Sequence, residues 1–131
     1  MNYQTLITAA ALITLPFALP FASAAPKAYD IVNYKGNAPG ITVVFEFADG
    51  YPEASEIKII ESGDGKTTKF YFPGEDEQTG AGKMRFVPVK GDDRTKEVLL
   101  EMEAWGEAPS TVKGTYTAGG KTVRFALTKR E

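Results

Sequence analysis

The clearest structural signal in the chain is the segment Ile41-Thr42-Val43-Val44-Phe45-Glu46-Phe47. Its apolar residues alternate at a period of two, which places Val43, Phe45 and Phe47 on one face of a β-strand. The turn-forming pair Pro39-Gly40 precedes the segment and Asp49-Gly50 follows it, so both ends of the strand are marked in the sequence.

The same alternation recurs between Gly-, Pro- and Asp-rich turns along the rest of the chain. It predicts a strand near Tyr29 to Tyr34, a strand from Val98 to Ala104, and about eight strands in all. No comparable stretch shows a sustained helical spacing of apolar residues. The large residues that the alternation places inside are Phe45, Phe47, Ile57, Ile59, Phe70, Phe72, Met84, Phe86, Leu100, Met102, Tyr116, Phe125 and Leu127.

Short turns between successive strands predict an antiparallel meander in a single all-β domain. One face of the meander is apolar and must be covered, so we expect a small up-and-down β-barrel, with a β-sandwich as the alternative. Pro88 cannot donate a hydrogen bond to a neighbouring strand. Its strand is therefore predicted to be an edge strand or to carry a bulge at Pro88.

The N-terminal segment resembles a secretory signal peptide. Residues 1–24 contain no charged side chain, are mostly apolar, and end in the small residues Ala22-Ser23-Ala24 that signal peptidase reads. We expect cleavage near Ala24, a mature domain of residues 25–131, and a periplasmic or secreted location. An uncleaved membrane anchor is the alternative, but Pro16 and Pro20 disfavour a stable transmembrane helix.

The composition excludes several classes of function. The 131 residues include no Cys and no His, so disulfides, thiolate chemistry and histidine catalysis are absent. The formal charge of −2 does not provide the basic surface that nucleic-acid binding requires. We therefore expect a non-catalytic protein with no cofactor and no nucleic-acid partner.

Short motifs that suggest other chemistry lack the context that this chemistry needs. Gly65-Lys66-Thr67 resembles the end of a phosphate-binding loop, but it lacks the upstream glycine and leads into a predicted strand. The same turn pattern recurs at Gly120, where glycine makes the turn and a phenylalanine enters the core. Ser55 and Lys58 have the spacing of a Ser–Lys pair, yet in a strand they point to opposite faces. Nucleotide binding and nucleophilic catalysis are not expected.

Two surface features point to recognition of a partner. The long loop that contains Glu75, Asp76 and Glu77 suits a cationic partner, although acidic loops also bind calcium in some proteins. The alternation also predicts an outward apolar stripe, which would form a partner surface or a homodimer contact. Burial under residues 25–37, or in the interior of a sandwich, would explain the stripe equally well. The residues of the stripe are Val44, Ile60, Tyr71, Val87, Leu99 and Trp105.

These observations favour an exported protein that binds another protein, of the inhibitor or immunity type. In size, export signal and strand pattern the chain is similar to small periplasmic barrels that inhibit lysozymes or proteases. Those barrels commonly carry a disulfide, which this chain cannot form. On this hypothesis Glu75, Asp76 and Glu77 attract the partner, and Tyr71, Leu99 and Trp105 contact it. The alternative is a lipocalin-like carrier of a small hydrophobic ligand, but the many large inward residues would leave it little room.

Overall fold

The computed structural model of the protein describes residues 29–75, 80–89 and 95–131. They form eight strands and one 3-10 turn, Pro52–Ala54. The predicted signal peptide lies outside the described residues. Among those that are described, no helix is long and apolar enough to cross a membrane. The strands are β1 (Asp30–Ala38), β2 (Ile41–Asp49), β3 (Glu56–Glu61), β4 (Thr67–Tyr71), β5 (Met84–Pro88), β6 (Glu97–Leu100), β7 (Thr111–Ala118) and β8 (Lys121–Arg130).

The eight strands form a closed antiparallel barrel in sequence order. Each strand pairs with the next, and β1 closes the sheet by pairing with β8 through Tyr34 and Lys129. The predicted up-and-down barrel is confirmed, and the sandwich alternative is excluded. Residues 30–38 are a strand of the barrel wall, so this part of the N-terminal segment does not cover an outer apolar stripe as one alternative supposed.

The barrel interior is filled with large apolar side chains. Every residue that the alternation placed inside is buried. Their rings are in contact: the centroid of Phe45 lies 5.4 Å from that of Tyr34 and 5.6 Å from that of Phe86, and Phe72 lies 5.6 Å from Phe86. An eight-stranded barrel has just enough interior for its own side chains or for one small ligand, and in this protein side chains occupy the described interior.

The predicted strand from Val98 to Ala104 is wrong in its second half. Strand β6 ends at Leu100, and after one more backbone hydrogen bond, from the Glu101 amide to the Lys113 carbonyl (2.8 Å), the chain continues as a series of bends. Met102 and Ala104 are nevertheless buried. The alternation of apolar and polar residues therefore continues beyond the strand, because every second residue of the loop covers the end of the core.

The prediction that Pro88 lies on an edge strand or at a bulge is wrong, because the barrel is closed and the pairing of β5 with β4 continues through Pro88 without an extra residue. Pro88 is the last residue of β5 and lies beyond Phe86, where pairing with β6 ends. On its other side it faces Phe70, while the next amide, that of Val89, donates to the Lys69 carbonyl (3.0 Å). Antiparallel strands use alternate residues for these bonds, so the position of Pro88 requires no donor.

Closure of the barrel requires glycine on β1. A β-carbon at Gly36 would collide with the backbone carbonyl oxygen of Ala126 on β8 and would lie 2.9 Å from Cδ2 of Leu127. The first of these neighbours is backbone and cannot rotate away. The close approach of β1 to β8 therefore depends on the absence of a side chain at Gly36.

Gly36→Ala is expected to lower the free energy of unfolding by about 1–3 kcal/mol, because the methyl group must displace the β8 backbone. Gly63→Ala is the matched control, since a β-carbon at Gly63 has no neighbour within 4 Å. Urea unfolding of both variants checks the prediction. Equal stability of the two variants would contradict the steric account of closure.

Candidate functional site

The barrel topology collects three long connections at one end. In an up-and-down barrel successive connections alternate between the two ends, so the β2–β3 loop (50–55), the β4–β5 loop (72–83) and the β6–β7 loop (101–110) lie together. We call this the loop end. The connections 39–40, 62–66, 89–96 and 119–120 lie at the opposite end, which we call the turn end.

The three loops of the loop end are neighbours in space. A β-carbon built at Gly74, near the start of the β4–β5 loop, would lie 3.9 Å from Oε2 of Glu53 in the β2–β3 loop. One built at Gly82, near the end of the same loop, would lie 3.7 Å from Oε1 of Glu103 in the β6–β7 loop. The described parts of the three loops therefore form one surface.

The β6–β7 loop is held firmly against the barrel. The Tyr34 hydroxyl, on β1, donates a 2.6 Å hydrogen bond to the Pro109 carbonyl. The Lys129 amide of β8 donates to the Ser110 carbonyl (2.9 Å). Met102 and Ala104 are buried from the loop side. Contacts with the core and with two strands thus fix the loop along its length.

Trp105 projects from this anchored loop into solvent. Its side chain is 65% exposed, the largest value among the exposed large hydrophobic residues of the described chain. Gly106 follows it in a tight bend, where a β-carbon would lie 2.8 Å from Cβ of Glu103. Tryptophan in this position adds nothing to the core, whereas exposed, well-positioned aromatic residues are typical binding anchors.

Tyr51 is a second exposed aromatic residue at the loop end, and the sequence analysis missed it. It is 49% exposed, and its ring packs edge-on against Tyr29 with centroids 5.6 Å apart. The β2–β3 loop is rigid because the buried Ser55 hydroxyl accepts a hydrogen bond from the Ala48 amide (2.9 Å). Its exposure could have been predicted from the sequence, since Tyr51 is a large aromatic residue inside a turn sequence.

The loop end is acidic. The described parts of the three loops carry the single basic residue Lys83, whereas the described connections of the turn end carry Asp64, Lys66 and Lys96. The carboxylates of the three loops are Glu53, Glu75, Glu101, Glu103 and Glu107. This asymmetry produces a negative potential around Trp105 that attracts cations and cationic surfaces.

One residue of the predicted acidic trio can be placed on this surface. Glu75 is exposed at the loop end, while Asp76 and Glu77 lie outside the described residues. Within the described chain, no three acidic side chains are grouped closely enough to hold a metal ion.

The other predicted contact residues lie on the outer wall of the barrel. Tyr71, the last residue of β4, is 44% exposed and is paired directly with Val87 on β5. Leu99 on β6 is half-buried and faces Arg85, which forms an ion pair with Glu97. These residues form a small patch with a charged pair in it.

The predicted outer stripe is not continuous. Val44 is paired on its two sides with Lys35 and Lys58, so its nearest outward neighbours are charged. Ile60 is paired with Thr67, four residues before Tyr71 on β4. The register therefore separates Val44 and Ile60 from the patch around Tyr71, which leaves the loop end as the stronger candidate surface.

Tyr34 is the one titratable group whose environment perturbs it clearly within the described chain. Burial raises the pKa of its phenol, and the negative charge of Asp49 raises it further. Both effects favour the protonated hydroxyl, which is the form that donates to the Pro109 carbonyl. The anchor of the β6–β7 loop is therefore intact at neutral pH.

Comparison with known proteins gave no match: no protein-family model, curated protein sequence or solved structure is significantly similar to the chain. The geometry of the loop end is therefore the basis for a proposed function.

Tyr34→Phe is expected to lower the free energy of unfolding by about 1 kcal/mol at pH 7, because the bond to Pro109 is lost. The raised pKa means that the unfolded wild type ionises near pH 10, before the folded protein does. The wild type therefore loses stability through this group above about pH 10. The difference in the free energy of unfolding between the wild type and Tyr34→Phe becomes smaller as a result. Chemical denaturation of the two proteins at pH 7 and above about pH 10 measures this difference in stability. Tyr71→Phe, at an exposed position, is the control. A difference that widens at high pH would refute the assignment.

Proposed function

We propose that this protein is an exported, non-catalytic binding protein whose loop end docks another protein through a cationic surface, in the manner of an inhibitor or immunity protein. The single observation that carries the proposal is the exposed Trp105 on a loop that the core and two strands hold in place. A preordered aromatic anchor loses little conformational entropy when a partner covers it.

The distribution of charge supports a cationic partner. Carboxylates surround Trp105 in its own loop, with Glu103 before it and Glu107 after it, and Glu53 and Glu75 lie in the two neighbouring loops. Acidic surfaces of this kind accelerate encounter with a basic partner, and the acceleration decreases as salt is added. Tyr51 adds a second aromatic side chain to the same end.

Two other functions have less support. A lipocalin-like carrier requires interior space for its ligand, whereas the rings of Phe45, Phe72 and Phe86 are packed together inside this barrel. A hydrolase requires an activated nucleophile. The Ser55 hydroxyl is instead buried and accepts a hydrogen bond from the Ala48 amide, which stabilises the β2–β3 loop. In this proposal residues 1–24 act as an export signal, and the mature protein is located in the periplasm or outside the cell.

The partner is sought first with the wild-type mature protein. The immobilised protein is exposed to the envelope and secreted proteins of its own cells, and a bound protein is identified by mass spectrometry and purified. Stoichiometric complex formation in native mass spectrometry then establishes the pair. If the mature protein is found with a bound lipid or metabolite and no bound protein, the lipocalin-like carrier is favoured instead.

Trp105→Ala is expected to weaken this complex at least about 30-fold, since central aromatic anchors contribute about 2 kcal/mol or more to binding. The free energy of unfolding should change by less than about 0.5 kcal/mol, because the side chain is exposed. Val89→Ala is the control, an exposed apolar residue next to the turn end. Calorimetric titration of both variants measures the effect, and unfolding of the Trp105 variant would place that residue in the core.

The double substitution Glu103→Gln and Glu107→Gln is expected to slow association about tenfold at low salt while changing dissociation little. At about 1 M salt the wild type and this variant should associate at similar rates, because the charges are screened. Surface plasmon resonance at the two salt concentrations checks this. Salt-independent association of the wild type would contradict a cationic partner.

A further inference from the structure

A groove crosses the outer wall of the barrel beside the loop end. It has a volume of about 500 Å³ and runs over β7 and β8 from the start of the β6–β7 loop. Its lining consists of Glu101, Lys113, Gly114, Thr115, Arg124, Phe125 and Ala126. It is separate from the interior, because the charged residues of this set are all exposed.

The groove exists because small groups form its floor. Ala126 presents only a methyl group where it faces Lys113, and the side chain of Phe125 turns into the core. Gly114 lies on the inward-facing parity of β7, where a β-carbon would lie 2.8 Å from Cε1 of the core residue Phe125, so it contributes only its backbone to the groove. Backbone and a methyl group therefore lie between longer polar side chains.

The register brings two cations and a hydroxyl group together at this floor. Thr115 on β7 is paired directly with Arg124 on β8, and both point outward. Lys113 is two residues before Thr115 on the same face of β7. A guanidinium, an ammonium and a hydroxyl group are all hydrogen-bond donors, and together they suit the oxygens of a carboxylate or phosphate.

The cations of the groove have the carboxylate of Glu101 as a neighbour but form no close ion pair with it in the described chain. Glu101 is opposite Lys113 across β6 and β7, with the Glu101 amide bonded to the Lys113 carbonyl at 2.8 Å. In the described chain no ion pair within 4.0 Å joins the Glu101 carboxylate to Lys113 or to Arg124; Arg85 and Glu97 form the pair that is present. The two cations therefore keep hydrogen-bond donors for a ligand, and Glu101, which is opposite Lys113, supplies a carboxylate to the same groove.

We propose that this groove binds a small oxyanion-bearing molecule, with the carboxylate or phosphate group held by Lys113, Thr115 and Arg124. Glu101 accepts a hydrogen bond from a hydroxyl or ammonium group elsewhere on the same ligand. The site is independent of the partner surface around Trp105, so either proposal can fail without the other.

The chain contains a matched control for this site. Arg124 is the fifth residue of Gly120-Lys121-Thr122-Val123-Arg124-Phe125, and Lys69 is the fifth residue of the similar turn and strand beginning at Gly65. Both side chains are exposed on a strand that enters the core at the next residue. Lys69 does not line the groove, so Lys69→Gln measures the effect on binding of removing a cation from a similar strand outside the proposed site.

The test is a nitrogen-15 NMR titration of the mature protein with inorganic phosphate and, separately, with glucuronate, each compared with sodium chloride at the same ionic strength. We expect saturable shifts of the amides of 113–115 and 124–126 with at least one of the two probes. Arg124→Gln and Lys113→Gln should each raise the dissociation constant about tenfold, and Lys69→Gln should leave it unchanged. Glu101→Gln should lower the dissociation constant for phosphate about threefold, because a like charge is removed.

Each outcome bears on the proposal. Saturation with phosphate alone assigns a phosphorylated ligand, and saturation with glucuronate alone assigns a carboxylate. Shifts that sodium chloride reproduces, or that survive in the Arg124 and Lys113 variants, overturn the site. The variants are exposed substitutions, and the dispersion of the same spectra verifies that each one is folded.

Discussion

Closure of β1 on β8 is the constraint on which the rest of the structure depends. Glycines flank β8 on both sides, Gly36 on β1 and Gly114 on β7, and a β-carbon at either position would meet backbone oxygen or a core side chain. Close approach at these two positions reduces the barrel interior to a size that phenylalanine rings fill. Since side chains fill the described interior, the proposed recognition is assigned to the outer surface.

The filled core also determines how rigid the outer surface is. Met102 and Ala104 are loop residues, yet they are buried as deeply as strand residues, and the Tyr34 hydroxyl reaches from inside the wall to the Pro109 carbonyl. The loop that presents Trp105 is therefore an extension of the core. A surface held in this way needs little reorganisation when it binds, which is the property expected of a tight protein inhibitor.

The period-two pattern was sufficient to predict the all-β class, the barrel and most of the large inward residues, although Tyr34 was not among them. It could not predict register, because strand pairing depends on turn lengths and on closure; the outer stripe was therefore split between Ile60 and Tyr71. It also could not distinguish a strand from a loop that covers the core in the same alternating way, as at Met102. The groove was missed because it requires the pairing of Thr115 with Arg124 across two strands.

The net charge of −2 does not show how the charges are distributed over the barrel. Up-and-down topology sends every second connection to the same end, so acidic residues that are far apart in sequence, such as Glu53 and Glu107, are collected there. The described connections of the opposite end carry Lys66 and Lys96 with Asp64. A nearly neutral chain thus becomes a polarised molecule. A charged molecule within about 10 Å of a surface responds to the local potential more than to the total charge, so the proposed preference for a cationic partner depends on the arrangement of the loops.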